Sequence, residues 1–191
     1  MVKRAKKLAK QNIDKIKNLI NSENVLVGIE PSSLLSFRDE YPSLVEEDIE
    51  QLNSNIYLFD EFFAKEIEEN NISAEQFTQK EEKILLHGHC QQKALIGTEY
   101  MEKMLSFPKN YSVEVIPSGC CGMAGSYGYE KRHYEKSKQI ADLHLTKAIN
   151  KADKSTIISA PGTSCREQIK HFTQRKALHP IEIMYNALKT K

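Results

Sequence analysis

The sequence predicts an α/β protein built on a Rossmann-like parallel sheet with helices on both faces. Two observations carry that prediction. Short apolar runs alternate with helical stretches along the chain, and continuous rather than alternating apolar character marks strands buried on both faces. Several of these runs also empty directly into loops that bear cysteine, and ligands of parallel α/β sheets collect at the carboxyl ends of the strands.

The elements follow in order. Residues 2–21 read as an amphipathic helix, with Ala9, Ile13, Ile16 and Ile20 at helical spacing and lysines on the other faces. Val25-Leu26-Val27-Gly28-Ile29 is a short buried strand ending at Glu30-Pro31. Residues 44–70 are expected to be mostly helical, with Leu58, Phe59, Phe62, Phe63 and Ile67 on one side. A polar connection, 73–82, leads to the strand Ile84-Leu85-Leu86, which runs into His87-Gly88-His89-Cys90. Residues 91–106 suit a helix. Val113-Glu114-Val115-Ile116 is a strand that Pro117-Ser118-Gly119 turns into a loop with two adjacent cysteines. One long helix is expected over 130–150, with Ser137, Ile140, Ala141, His144, Leu145 and Ala148 along a face. Thr156 to Ala160 is a strand, and a helix follows Cys165. Residues 177–179 form a last short strand before a C-terminal helix, 181–189.

Bulk composition excludes several classes of function. In 191 residues, 27 basic side chains nearly balance 26 acidic ones, so net charge selects no polyanionic partner. The basic start, Met1 to Lys7, carries no aromatic or arginine-rich pattern, and a solvated helix face is expected there in place of a nucleic-acid site. No apolar run approaches the roughly 20 residues that span a bilayer. The chain is expected to be cytoplasmic or peripheral to the inner face of the membrane. In that compartment cysteines more often serve metal or redox chemistry than structural disulfides.

The chemistry is concentrated in four cysteines. Cys120 and Cys121 stand side by side in Ser118-Gly119-Cys120-Cys121-Gly122-Met123-Ala124-Gly125, where a glycine-rich turn lets both sulfurs face one ligand. Cys90 and Cys165 sit in comparable loop settings past other strands. Four thiolates are the usual ligand set of an iron–sulfur cluster or of structural zinc. The backbone of Gly119, Gly122 and Gly125 is expected to line the bound group, and His87 and His89 to lie around it. Other readings stay open on the residues alone. The cysteines could be buried apolar side chains. Cys90 could be a nucleophile activated by His87 or His89. Cys120 and Cys121 could cycle as a strained, readily reduced disulfide. No dinucleotide fingerprint is present, so hydride chemistry is expected elsewhere.

These stretches resemble the cysteine-rich CCG domain family, which includes the iron–sulfur subunits of glycolate oxidase and anaerobic glycerol-3-phosphate dehydrogenase and the C-terminal parts of FAD-linked oxidases. The resemblance is carried by residues 28–35, by Arg38-Asp39-Glu40-Tyr41-Pro42, by His87 to Ala94, by Pro117 to Gly128 and by Pro161 to Arg166. It implies an iron–sulfur electron-transfer module of a flavin-linked 2-hydroxy-acid dehydrogenase or oxidase of the glycolate or D-lactate type, not catalytic alone. Cys90, Cys120, Cys121 and Cys165 match the family's metal-ligand positions, and a [4Fe–4S] cluster is the expected cofactor. The implied partners are a flavin-containing dehydrogenase domain or subunit that carries FAD, a ferredoxin-type domain and a quinone-side acceptor, with no nucleic acid. The resemblance also divides the chain into the tail of a first cysteine-rich half, residues 1–80, and a complete second half, residues 81–191. Relatives often carry cysteine where Ser33 stands, and several carry one where Gly162 stands. Four ligands thus fit a single cluster, or zinc in a docking and assembly domain without a redox role.

Overall fold

A computed structural model of the chain describes residues 1–189. Helix α1, Val2–Ile16, buries Ala9 and Ile13 and leaves its lysines in solvent. It ends short of the expected residue 21, in turns that lead to strand β1, Leu26–Gly28. The proline-started helix α2, Pro31–Leu34, and the short helices α3, Tyr41–Leu44, and α4, Glu50–Asn53, wrap this first region. Strand β2, Ile56–Leu58, then pairs in parallel with β1, Leu26 opposite Ile56.

Strand β2 interrupts the stretch 44–70, expected from the sequence to be mostly helical. Asn53, Ser54 and Asn55 interrupt the helix, and Ile56 and Leu58 point into a core with Ile13, Leu35 and Leu52. Three residues are too few for alternation to stand out against the Phe59, Phe62 and Phe63 periodicity that follows. Helix α5, Phe59–Glu68, begins where the Glu61 carboxylate accepts the Leu58 N–H at 2.8 Å.

The larger sheet contains strands β3, Glu82–Leu86, β4, Tyr111–Val115, β5, Ile157–Ser159, and β6, Ala177–Leu178, in the parallel order β4-β3-β5-β6. Between them run α6, Cys90–Leu95, α7, Glu99–Leu105, α8, Tyr134–Leu143, α9, Leu145–Lys151, and α10, Thr163–Thr173; α11, Pro180–Ala187, follows β6. The expected helix over 130–150 is in fact two, because His144 leaves the helical region at φ −139°.

Strand β3 shows why helices must cover both faces. Leu85 packs with Ile116, Ile158, Leu145, Ile149 and Ile169, which brings α9 and α10 to one side. Ile84 and Leu86 pack with Met101, Met104, Leu105 and Ile183, which brings α7 and α11 to the other. The α/β class and the doubly covered parallel sheet are therefore as the sequence indicates. Among the described residues the two sheets share no strand pairing. Packing of α5 on α7 joins them, with a cluster of Phe59, Phe63, Phe77 and Phe107 at the seam. Among the described residues, no helix is long and apolar enough to cross a membrane.

Candidate metal centre

The carboxyl ends of β3, β4 and β5 open on the same edge, because parallel neighbours in register end together. Cys90 starts α6 just past β3. Cys120 and Cys121 lie in the loop after β4. Cys165 sits in the first turn of α10, just past β5. All four thiols are free. They form a continuous chain of contacts: Cys90 meets Cys120, Cys120 meets Cys121, and Cys121 meets Cys165. Cys121 and Cys165 are buried, Cys120 is half-buried and Cys90 is exposed.

The set is electrostatically uneven. Hydrogen bonds from Cys121 and Cys90 hold the Cys120 thiol far below its ordinary value. A bond from Cys121 lowers Cys165 likewise against the cost of its burial, and His87 assists. Cys90 and Cys121, the donors in those bonds, are pushed up by the same contacts and by burial. The protons that the thiols carry leave when a cation enters, which couples metal binding to proton loss.

Of the two histidines, His87 lies in the thiol set. A ring nitrogen of His87 and the sulfurs of Cys121 and Cys165 all lie within 4.8 Å of one another. His87 Nδ1 shares a 2.7 Å bond with Ser118 Oγ, while its Nε2 is buried without a nitrogen or oxygen partner. His89 is also buried, with Nδ1 unpartnered, and its ring borders Gly162.

The three glycines play different parts. Gly122 adopts φ +92°, and a side chain there would run into the Ser137 carbonyl. Its N–H donates to the Cys120 sulfur at 3.3 Å. Gly125 also has positive φ, +65°, but space around it is open. Gly119 is exposed, and a side chain there would meet open space.

Four supports escaped the sequence reading. Gln168 donates to the Cys121 carbonyl at 2.9 Å and to Ser137 Oγ at 2.8 Å, and Ser137 in turn donates to the Gly122 carbonyl at 2.8 Å. Each of these two residues is a polar side chain on the buried stripe of a helix, and that mismatch was the available signal. Lys93 reaches across from α6 to the carbonyls of Ser118 and Gly119. Burial lowers its ammonium, against the pull of the nearby thiols. Glu30, just past β1, caps the first turn of α10 through Thr163.

The donor chemistry fits a thiolate-held metal. Four sulfurs converge, two of them buried, beside an imidazole nitrogen that has no other polar partner. Cys121 and Cys165 also belong to an apolar cluster with Leu85, Ile116 and Ala160, which keeps water away from that side.

Comparison with known proteins agrees with an oxidoreductase setting. The chain is similar to D-2-hydroxyglutarate dehydrogenase of Escherichia coli (strain K12), 29% identical over 184 residues that make up 96% of this chain and 17% of that protein. It is 31% identical over 160 residues to D-2-hydroxyglutarate dehydrogenase of Pantoea ananatis, covering 83% of this chain and 15% of that protein. It is also similar to one of the subunits of anaerobic glycerol-3-phosphate dehydrogenase of Escherichia coli (strain K12), 27% identical over 187 residues, 97% of this chain and 46% of that protein. The chain therefore spans 17% of the first of these relatives and less than half of the last. No family model matches. No solved structure matches.

Proposed function

We propose that this chain is the iron–sulfur electron-transfer portion of a flavin-linked dehydrogenase whose donor is a 2-hydroxy acid or a related alcohol. The observation that carries the reading is the convergence of Cys90, Cys120, Cys121 and Cys165, from three different strand ends, on one edge of the sheet. Cys90, Cys120, Cys121 and Cys165 would hold the metal, and the Gly119–Gly125 backbone would line it. A [4Fe–4S] cluster in this place supplies one-electron transfer. The names of the relatives suggest 2-hydroxyglutarate or glycerol 3-phosphate as donors, alongside the glycolate and D-lactate that the family resemblance implies.

Under this reading FAD resides on a separate domain or subunit, a ferredoxin-type domain relays electrons, and a quinone-side acceptor takes them. The two-stranded sheet lies within residues 1–80 and the four-stranded sheet within 81–191. That division supports reading the first as the tail of one cysteine-rich half and the second as a complete half. A cytoplasmic position, or one peripheral to the inner face of the membrane, belongs to the same proposal.

One observation favours a second reading. His87, Cys121 and Cys165 are compact, all within 4.8 Å, and a tetrahedral zinc with 2.3 Å bonds to sulfur sets its ligands about 3.8 Å apart. In that case the chain would be a zinc-stabilised docking domain. Iron, sulfide and zinc analysis of protein purified and reconstituted without oxygen separates the two. About four irons per chain, with visible absorption that bleaches on reduction, supports the electron carrier. Stoichiometric zinc with no chromophore overturns it.

A further inference from the structure

We propose that Lys93 is the counter-cation of the thiolate centre, a charge that both fixes the two-cysteine loop and favours electron uptake by what the thiols hold. The inference deepens the reading above and rests on it only in taking the thiols as metal ligands.

The geometry is specific. Lys93 lies one helical turn after Cys90, so its stem runs back over the mouth of the loop. Its Nζ donates to the Ser118 carbonyl and, at 2.8 Å, to the Gly119 carbonyl. Those are the two residues that immediately precede Cys120. Gly88 makes room for this path: a side chain there would lie 3.0 Å from Lys93 Cγ and 2.6 Å from Thr98 Cγ2. The ammonium is half-buried, and the thiols of Cys90, Cys165, Cys120 and Cys121 lie close enough to act on its charge. Among the described residues it forms no ion pair with a carboxylate.

A partly desolvated cation without a carboxylate needs negative charge nearby. Four thiolates around iron or zinc leave the site net negative, and Lys93 is placed to offset that charge. A fixed positive charge stabilises the reduced, more negative form more than the oxidised one, so it raises the reduction potential. Lys93 is therefore a positioning and charge-compensating residue, not a catalytic one.

The test compares the wild-type full chain, Lys93→Gln and Lys93→Arg after oxygen-free reconstitution. Gln keeps a donor for the carbonyls but loses the charge; Arg keeps both. With the iron content and melting temperature of Lys93→Gln matched to wild type, the ratio of reduced to oxidised centre at one fixed ambient potential should fall about tenfold. That is about 59 mV for a one-electron couple. Lys93→Arg should stay near wild type. An unchanged ratio in Lys93→Gln, or an equal fall in Lys93→Arg, overturns the proposal.

If wild type holds zinc, the electron-carrier reading fails and Lys93 is tested by zinc release to excess EDTA. Release about tenfold faster from Lys93→Gln than from wild type and Lys93→Arg supports the counter-cation; equal release overturns it. Should Lys93→Gln fail to fold, Lys93→Met carries the test, since it keeps the apolar stem and removes the charge. The same measurement should move in the same direction, and a wild-type value overturns the proposal.

Discussion

A single Glu30 oxygen accepts both the Thr163 backbone N–H, at 3.0 Å, and the Thr163 hydroxyl, at 2.8 Å, across 133 positions of sequence. Glu30 lies just past β1 of the small sheet, at the start of α2, and Thr163 opens the helix that carries Cys165. The carboxylate is thus an N-cap supplied from the other sheet, and it ties one side of the thiol set to the first 80 residues. Glu30→Ala should cost about 1–2 kcal/mol in urea unfolding at pH 7, and Glu30→Gln about half of that. Burial alone would raise the Glu30 carboxyl, but bonds from Thr163 and Ser32 outweigh it and hold it below its ordinary value of 4.5. Its contribution is therefore complete above that value and lost as pH falls through the lowered folded value. The gap between wild type and Glu30→Gln should close in acid.

Asp60 gives a pH dependence of the opposite sign. Burial pushes its carboxyl up to about 6 from 3.8, and Gln92 donates to it at 2.7 Å. The folded protein then holds a proton that the unfolded chain releases, so stability falls as pH rises from about 4 to about 6. The loss is on the order of 2–3 kcal/mol. Asp60→Asn keeps an acceptor for Gln92 and removes the titration. It should match wild type at pH 4 and melt higher than wild type at pH 7.5.

Gly122 and Gly125 separate backbone strain from collision. Both have positive φ, but only at Gly122 would a Cβ strike a neighbouring carbonyl. Gly125→Ala should cost about 1 kcal/mol. Gly122→Ala should cost at least twice as much and sharply reduce metal content, because relieving the clash shifts the N–H that meets Cys120. Thermal unfolding with metal analysis of the two variants checks the order.

The thiols should not be equivalent. Cys121→Ser and Cys165→Ser remove buried sulfurs from the middle and the end of the contact chain, and metal content should fall to under a quarter of wild type. Cys90→Ser removes an exposed sulfur that water can replace. It should retain about half the metal and lose it faster to a chelator. Metal analysis on freshly reconstituted protein reads both.

The site was more legible in the sequence than the frame around it. Cys90, Cys120, Cys121 and Cys165 could be placed together because each follows an apolar run, and parallel strands share one carboxyl edge. Strand β2 was hidden because its three residues sit beside the stronger helical spacing of Phe59, Phe62 and Phe63. The order β4-β3-β5-β6 depends on which helices pack on which face, and no local pattern encodes that. Gln168, Ser137 and Glu30 find their partners only after distant segments meet. Their local signs, a polar residue on a buried stripe or an acid at a strand end, do not name the partner. Lys93 lies within one turn of Cys90, yet its role needs the position of the Ser118–Gly119 carbonyls.

Cys121 and Cys165 are sealed, at 3% and 1% exposure, whereas Cys90 faces solvent beside the open Gly119. A centre held there is covered on the Cys121 and Cys165 side and open on the Cys90 side. Electrons would have a short contact with the outside at the Cys90 rim, and a partner seated there would complete the circuit. Dioxygen would arrive by the same window. The partner that wires the centre would then also shield it, and the separated chain should bleach in air at a rate set by how much of that rim is left uncovered.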